Sequence, residues 1–236
     1  MTTPTCSEGS KRPRSDGRPA MMMAVVEPTL EVELAMLAAG ASCVIGCDEV
    51  GRGALAGPVA VGLAVVTASM GAFPVGLRDS KLLSEPRREM LAPLAAEWVQ
   101  HSAVGLASPQ EVDTVGIIAA LGLAGKRALA QLHAEGVDIR GGVVLLDGKD
   151  DWLNKALNTP LAVVTRIKAD QDCASVSAAS VIAKVHRDRL MIAADLSTPG
   201  YGWKGNKGYG SSEHMTAIGA LGPSAQHRLS WLKIAE

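Results

Sequence analysis

The amino-acid sequence predicts an α/β fold, because aliphatic runs of strand length alternate with stretches of helical spacing. The run from Gly141 to Leu146 is nearly continuous in aliphatic residues, which is typical of a strand covered on both faces. A similar run precedes Asp48, so two predicted strands each lead into a carboxylate. If these strands are neighbours, Asp48 and Asp147 meet at one edge of the sheet.

Composition is that of a globular chain that can bury a core, without the strong positive charge of a dedicated nucleic-acid binder. The 236 residues are 47% hydrophobic and carry a formal net charge of -1. Because the composition is uniform, we expect one domain over 20–236, with a core at about 41–195 and a helical and loop part at about 196–236. Cations outnumber acids between residues 166 and 209, which allows a local basic surface.

Cysteine spacing and hydropathy predict a reduced protein without a membrane segment. The apolar patch at 20–26 stops at Glu27, too short for a signal-peptide core or a membrane span. Gly and Pro interrupt the longer uncharged run at 53–77, so strands and turns are predicted there. Four cysteines lack zinc-type spacing and are expected to be reduced core residues of a cytoplasmic protein: Cys6, Cys43, Cys47 and Cys173.

The N-terminal 19 residues are rich in Thr, Ser, Pro, Gly and Arg and are predicted to be a disordered tail. The short basic cluster at 11–14 either contacts nucleic acid weakly or is simply solvated. Leucines at 30, 34 and 37 then follow helical spacing, which predicts a short amphipathic helix over 28–39.

The densest chemical signal is VIGCDEVGRGALAGP at 44–58. Asp48 and Glu49 end an apolar run. Neighbouring strand residues point to opposite faces, so both carboxylates reach one ligand only if the chain leaves strand geometry there. The Gly-Arg-Gly sequence at 51–53 permits that departure and opens the main chain to a bulky polyanion. Each fragment alone is common on protein surfaces, whereas their combination is rarer.

Further elements surround this motif. The segment Asp79-Ser80-Lys81 reads, on its residues alone, as part of the cap of the helix that follows it. We expect a strand at 58–66, a helix from the N-cap residue Ser84 to about Gln100, a strand at 102–107, a helical region at 108–134 with a break near Gly116, and a strand at 161–167.

A helix dense in small residues is predicted from Ala174 onward. Small residues allow such a helix to lie very close to a sheet or to a nucleic-acid backbone. Asp170 and Asp172 precede it, and Asp172 is the preferred cap. Asp188 lies four residues after Lys184, which predicts an ion pair on the helix surface.

The segment GYGWKGNKGYGSSEH at 200–214 alternates glycines with aromatic residues and lysines. This mixture suits stacking on a sugar or base beside neutralised phosphates. His214 lies in a helix predicted to begin at Ser212, where it caps the helix, packs in the core or assists a leaving group or metal.

Four carboxylates from separate segments are candidates for one site: Asp48, Glu49, Asp147 and Asp170. Crowded carboxylates repel one another and disturb each other's pKa values unless cations intervene. Ligation by oxygen alone, without His or Cys, suits Mg²⁺ or Mn²⁺. Two such ions activate a water and stabilise the leaving oxygen in phosphodiester hydrolysis.

Seven short motifs between residues 43 and 231 together resemble the ribonuclease HII family, among the type 2 ribonucleases H. They are DEVGRG, DSK, LLDG, KAD, SAASVIAKVHRD, NKGYG and GPSAQHR. Each motif is short, but six or more in one order are very specific. The resemblance implies a ribonuclease H-like α/β fold with a mixed central sheet, flanking helices and a small helical C-terminal part.

The resemblance also implies an endonuclease that degrades the RNA strand of RNA–DNA hybrids. Such an enzyme cuts 5′ of single ribonucleotides in duplex DNA and leaves 3′-hydroxyl and 5′-phosphate ends. Its cofactors are expected to be Mn²⁺ or Mg²⁺, in a two-metal mechanism. Its expected partners are RNA–DNA hybrids and ribonucleotide-containing duplex DNA; we expect a monomer, and no replication or repair partner is specified.

Site residues follow from the resemblance position by position. Asp48, Glu49, Asp147 and Asp170 match the catalytic metal ligands, and Tyr209 matches a tyrosine that stacks at the ribonucleotide junction. Gly51, Arg52 and Gly53 match the backbone segment that recognises the ribose 2′-hydroxyl. Weaker candidates for phosphate contacts are Lys81, Ser175, Lys184, Lys204 and Lys207.

A few positions depart from the family pattern. They are Lys149, Asp150 and Asp151 after the second acidic strand, Ser211 in place of threonine, and Leu229 and Trp231 in place of Arg and Phe. None belongs to the acidic set, so the departures bear on substrate grip rather than on activity. Two other classes stay open: a DNA-directed nuclease or integrase on the same kind of fold, and a non-catalytic hybrid-binding module.

Overall fold

A five-stranded mixed sheet lies at the centre of the structure, a computed structural model that describes residues 27–232. The strands are β1 (Val44–Val50), β2 (Val59–Val66), β3 (His101–Ala107), β4 (Val143–Asp147) and β5 (Val163–Arg166). Their order across the sheet is β3-β2-β1-β4-β5. β1, β2 and β3 are antiparallel neighbours, whereas β4 is parallel to β1 and β5 is parallel to β4. The α/β prediction is therefore confirmed, and the tail expected at 1–19 lies outside the described residues.

Eight α-helices accompany the sheet within the described part of the chain. They are α1 (Glu31–Ala38), α2 (Glu85–Trp98), α3 (Pro109–Val115), α4 (Ile117–Ala134), α5 (Ala169–Asp172), α6 (Ala174–Ser197), α7 (Trp203–Asn206) and α8 (Ser212–Leu221). Short 3₁₀ turns occur at Ser80–Leu82, Asn154–Ala156 and Leu229–Trp231. None of the helices in residues 27–232 combines the length and apolarity needed to traverse a bilayer.

The two faces of the sheet bury separate cores because successive strand side chains alternate in direction. On β4, Val144 and Leu146 join the core beneath α4, whereas Leu145 joins the core beneath α6 and α2. Both faces are thus covered, as the continuous aliphatic runs predict.

Helix α6 lies unusually close to the sheet, and two strand glycines make room for it. A Cβ atom added to Gly46 would lie 2.4 Å from the carbonyl carbon of Ser175. A Cβ at Gly62 would lie 2.5 Å from the carbonyl oxygen of Ala179. The small residues of α6 and these glycines together allow backbone-to-backbone packing, as expected from the helix composition.

The N-terminus of α6 is capped by a side chain from α1 rather than by Asp172, so the capping prediction is wrong. The Asp172 carboxylate instead pairs with Arg166 at 2.9 Å. Glu33 of α1 is fully buried, and its Oε1 accepts hydrogen bonds from the backbone N–H of Ser175 at 2.8 Å and from its hydroxyl at 2.7 Å. A local sequence pattern cannot reveal this cap, because the two residues are 142 positions apart.

Candidate active site

The carboxylates of Asp48 and Asp147 lie at the same edge of the sheet. Cys47 of β1 pairs with Leu146 of β4, and each of these residues is followed directly by one of the two acids. β1 continues in strand geometry through Val50, so the expected departure from the strand begins only at Gly51, whose φ is +80°. A cavity of about 230 Å³ lies at this edge, lined by Asp48, Glu49, Val50, Gly51, Arg52, Gly53, Ser80, Lys81, Asp147, Lys184 and Tyr209.

Asp48 is the most deeply buried acid of the cavity, only 2% exposed. Its Oδ1 accepts a hydrogen bond from the Glu49 N–H at 2.8 Å, whereas its Oδ2 is buried without a protein partner. Burial raises the pKa of Asp48 to about 8, even though Lys81 acts in the opposite direction. An unpartnered buried carboxylate oxygen is costly unless a cation or proton meets it.

Asp147 lines the cavity with Asp48, whereas Asp170 is paired with Lys81 and is not part of the cavity lining. Asp147 Oδ1 accepts from the backbone N–H of Ala169, the first residue of α5, at 2.8 Å. Burial and the neighbouring Asp170 both raise the pKa of Asp147. Asp170 is itself buried and lies in α5, so three elements supply these carboxylates.

Lys81 stands among these acids as a counter-ion. Its Nζ lies 2.8 Å from Asp170 Oδ2 and 3.8 Å from Asp79 Oδ1. Partial burial by itself lowers the pKa of Lys81, but the carboxylates of Asp48 and Asp170 outweigh that effect and the pKa is raised. The residues Asp79-Ser80-Lys81 also keep a local structural role, because Asp79 Oδ1 caps the 3₁₀ turn by accepting from the Lys81 N–H at 2.9 Å. Ser84 stands at the N-cap of α2 without a side-chain capping bond.

The chemistry of the candidate ligand atoms fits a hard divalent cation. Every candidate ligand atom is a carboxylate oxygen, and Asp48 Oδ2 has no competing hydrogen bond. In the described residues, however, no three His, Cys, Asp or Glu side chains are already gathered as a complete metal-ligand group. Glu49 is engaged by Arg52 at 3.1 Å and Asp170 by Lys81, so these ion pairs would have to open for all four acids to ligate.

Tyr209 and Lys184 form a second wall of the cavity, supplied by the turn before α8 and by α6. The Tyr209 ring is 36% exposed and has Lys184 Nζ 5.6 Å and the Arg187 guanidinium 5.4 Å from its centroid. Lys184 pairs with Asp188 at 2.6 Å, as predicted, but the pair is largely enclosed rather than on the surface: the Asp188 side chain is 4% exposed and the Lys184 side chain 15%. Arg88 of α2 lies 3.6 Å from the same aspartate, which explains how this acid is held inside.

Three of the weaker sequence candidates lie away from the cavity lining. Ser175 is fully buried with its hydroxyl donated to Glu33, and Lys207 is 5% exposed with its Nζ 3.1 Å from Glu85 Oε2. Lys204 is exposed on α7. Of the five polar candidates, the structure brings only Lys81 and Lys184 to the cavity.

His214 belongs to a buried network behind Tyr209. Its Nδ1 must donate to the Tyr209 carbonyl oxygen at 2.8 Å, because a carbonyl only accepts. Its Nε2 therefore accepts from the Trp203 indole N–H at 3.0 Å and from His227 Nε2 at 3.1 Å. With Tyr201 stacked on Trp203 at 4.9 Å, this network forms the core of the small C-terminal part.

Two buried arginines were missed as site residues by the sequence reasoning. Arg187 and Arg228 are both fully buried: Arg228 donates to the carbonyls of Gly51 and Arg52 in the glycine loop, and Arg187 donates to those of Ala56 and Pro58 just after it. Both residues stand in motifs that carry the family resemblance, but a sequence motif does not show which residues an arginine contacts. The signal available in the sequence is an arginine that follows a run of small and apolar residues, as Arg187 follows 174–183.

A mixed sheet with carboxylates at the ends of its adjacent central strands, beside a glycine-lined cavity, defines a hydrolase of the ribonuclease H class. A sequence model of ribonuclease HII matches residues 45–234. The chain belongs to the ribonuclease HII family.

Relatives and solved structures agree with this assignment. Ribonuclease HII of Streptomyces griseus is 49% identical over 208 residues, which cover 86% of this chain and 84% of the relative. The crystal structure of ribonuclease H2 from Pyrococcus horikoshii OT3 matches with a TM-score of 0.62 at 26% identity, covering 80% of this chain and 93% of that one. The ribonuclease HII in the PCNA complex from Archaeoglobus fulgidus gives 0.63 at 26% identity, covering 82% and 97%.

Membership defines the activity at a coarse level. The chain is a ribonuclease H, an endonuclease that degrades RNA paired with DNA, and divalent-metal dependence is expected of the family. The resemblance seen in the sequence motifs and the ribonuclease H-like fold with its small helical C-terminal part are confirmed.

Proposed function

We propose that this enzyme cleaves on the 5′ side of ribonucleotides, including a single ribonucleotide embedded in duplex DNA, and leaves 3′-hydroxyl and 5′-phosphate ends. The supporting observation is that Asp48, Asp147, Lys81 and Tyr209 line one cavity together with the glycine loop 51–53. An acidic wall, a bare backbone segment and an exposed ring thus face the same space. These are the three parts that hydrolysis, ribose recognition and junction stacking require.

Asp48, Glu49, Asp147 and Asp170 are the proposed ligands of two Mn²⁺ or Mg²⁺ ions. Such ions would supply an activated water and charge stabilisation of the leaving oxygen. The unpartnered Oδ2 of Asp48 supports this assignment, since it is a buried acceptor with no protein donor.

The protein's own groups prepare the site in three ways. Lys81 offsets the repulsion among the acids and is placed to meet a backbone phosphate once its bond to Asp170 opens. The N–H groups of the glycine loop approach a ribose closely because Gly51 and Gly53 carry no side chain. Tyr209 offers an exposed ring face next to Lys184, which suits a base or sugar at the junction.

Three further lysines and Ser175 are proposed contacts for the substrate backbone. Lys184 contacts phosphate from the cavity wall, and the exposed Lys204 meets the backbone outside the cavity. The buried Lys207 and Ser175 would reach a substrate only after local rearrangement. The enzyme is proposed to act as a cytoplasmic monomer whose residues 20–236 form one domain.

The test is a cleavage assay on a duplex with one ribonucleotide, titrated with Mn²⁺ and with Mg²⁺. We expect a single nick on the 5′ side of the ribonucleotide and no cut in the matched all-DNA duplex. An intact ribonucleotide strand in both metals would refute the proposal. Cutting of the all-DNA duplex would favour a DNA-directed nuclease, and binding without cleavage would favour a hybrid-binding module.

A further inference from the structure

Arg228, from the C-terminal part, donates hydrogen bonds to backbone carbonyls of the glycine loop. Its Nη2 donates to the Gly51 carbonyl at 2.7 Å and its Nη1 donates to the Arg52 carbonyl at 2.9 Å. The same guanidinium also donates to the Gly57 carbonyl, from Nη2 at 3.1 Å and from Nε at 3.3 Å. One side chain therefore fixes three carbonyls of a single loop that lies more than 170 residues earlier in the chain.

Arg187 of α6 supports the same region from a second side. It donates to the carbonyls of Pro58 at 2.8 Å, Ala56 at 3.0 Å and Lys207 at 2.9 Å. The last contact ties the glycine-loop region to the turn that carries Tyr209. A Cβ atom at Gly51 would lie 2.0 Å from Arg187 Nε, so glycine is required there by contact as well as by its positive φ.

These guanidinium groups have no carboxylate partner within salt-bridge distance among residues 27–232. Burial of a charge without an acid is costly, and here it is compensated by carbonyl dipoles and by one aromatic ring each, Tyr209 at 5.4 Å from Arg187 and Trp231 at 4.9 Å from Arg228. The free-energy cost of burying the two guanidinium groups is explained if they hold the carbonyls in one orientation. Lysine could not replace this arrangement, because only the planar guanidinium presents several donors in a fixed fork.

The orientation matters because the C=O and the following N–H of a trans peptide point in opposite directions. When the Gly51 and Arg52 carbonyls face Arg228, the N–H groups of Arg52 and Gly53 face away from it. Neither N–H donates to a protein acceptor in the described residues. Arg52 and Gly53 are both exposed and line the cavity, so these donors are left for a ligand.

We propose that Arg228 is the positioning residue for ribose recognition: by holding the Gly51 and Arg52 carbonyls, it aims the N–H groups of Arg52 and Gly53 at the 2′-hydroxyl of the substrate. Arg187 stabilises the same loop and links it to the Tyr209 turn. This inference rests on the proposed ribonucleotide-specific function. It predicts that selectivity for ribose, rather than general duplex binding, depends on Arg228.

The experiment measures selectivity as the ratio of the Kd values for an all-DNA duplex and for the same duplex with one ribonucleotide. Binding is measured in the inactive Asp147→Asn background, and kcat and KM are measured in the active enzyme. For Arg228→Lys we expect the selectivity ratio and kcat/KM to fall roughly tenfold or more, because a displaced donor misses its acceptor. The Kd for the all-DNA duplex should not change.

The matched control is Arg127→Lys. Arg127 also donates to a carbonyl, that of Leu106 at 2.7 Å, but it lies outside the cavity lining and pairs with Glu111. The control should keep full selectivity.

A second variant covers the case in which Arg228→Lys fails to fold, which thermal unfolding would reveal. Asp113 of α3 accepts from the N–H groups of Leu229 at 2.8 Å and Ser230 at 3.1 Å and so anchors the segment next to Arg228. Asp113→Ala should reduce selectivity in the same direction. Unchanged selectivity in every folded variant of this pair would overturn the inference. If the parent itself shows no preference for the ribonucleotide duplex, the proposed function fails instead, and that result is obtained first.

Discussion

The two walls of the cavity differ in how completely their polar groups are satisfied. On the sheet side, Asp48 Oδ2 has no partner and burial raises the pKa values of Asp48 and Asp147. On the C-terminal side, Arg187, Arg228 and His214 are just as buried, yet each side chain has its hydrogen bonds within the protein. The comparison teaches that deep burial alone does not mark a reactive group. Buried oxygens without a hydrogen bond also occur at Glu33 Oε2 and Asp188 Oδ2, outside the cavity lining, so such an oxygen indicates a ligand site only in combination with a cavity, as at Asp48. The completed networks of Arg187, Arg228 and His214 hold the shape of the other wall.

The strongest test of the acidic wall is Asp147→Asn. We expect cleavage to fall by roughly a thousandfold or more, because a neutral amide cannot supply a metal-ligating charge. Substrate binding and folding should be largely kept. The control is Asp150→Asn, an exposed acid three residues later, which should cleave normally. Unchanged turnover in Asp147→Asn would remove this residue from the metal site.

Substitutions in the hydrogen-bonded network around His214 should instead lower the stability of the protein. His214→Ala removes the acceptor of the Trp203 indole N–H and the donor to the Tyr209 carbonyl. Leaving buried groups unpaired and opening a cavity should lower the free energy of unfolding by about 3 kcal/mol. Urea unfolding measures this change, with the exposed His133→Ala as the control. A loss no larger than that of the control would show that the network is dispensable.

In contrast to His214→Ala, Asp48→Asn should stabilise the metal-free protein. The pKa of Asp48 is raised from 3.8 to about 8, so between these values the folded state keeps a proton that the unfolded state has released. Stability of the metal-free protein therefore falls as pH rises through that window. Asp48→Asn should gain on the order of 2 kcal/mol at pH 8 and nothing below about pH 4. The test measures the free energy of unfolding of parent and variant across this pH range with a chelator present. A constant difference between the two proteins at every pH would contradict the prediction.

The smallest expected effect belongs to Tyr209, which stands between the two walls. Tyr209→Ala should lower kcat/KM about tenfold on a duplex with a single ribonucleotide, where one stacking contact matters most. Long RNA–DNA hybrids should be less affected. Tyr209→Phe keeps the ring and should retain most activity. Equal losses on both substrates would argue against a junction role.

The acidic wall was accessible from sequence because its chemistry sits on predictable elements. Aliphatic runs place β1 and β4, and each run leads directly into an acid, so adjacency of the strands is enough to bring Asp48 and Asp147 together. The break at Gly116 between α3 and α4 was likewise predictable, since the glycine adopts a positive φ there. Periodicity and turn chemistry are local properties, and these features depend on little else.

The other wall was not accessible, because its contacts join residues that are far apart in the chain. Nothing near Arg228 indicates that it reaches the Gly51 carbonyl, and nothing near Lys207 indicates that it is buried against Glu85. The expected basic surface between residues 166 and 209 is reduced for the same reason, since Lys184, Arg187 and Lys207 are turned inward. Counting charges in a sequence cannot distinguish a lysine that meets solvent from one that meets an acid on another helix.

The position of Glu33 has a practical consequence for anyone shortening this protein. A boundary drawn just before β1 would look natural, because the motifs begin there, but it would delete the carboxylate that closes the start of α6. That helix begins at Ala174, shortly after Asp170, and the Ser177 hydroxyl donates to the Asp170 carbonyl at 2.7 Å. Trimming at residue 40 would thus destabilise the acidic edge of the sheet indirectly. A shortened enzyme that lost activity would have lost the helix cap formed by Glu33, not a metal ligand.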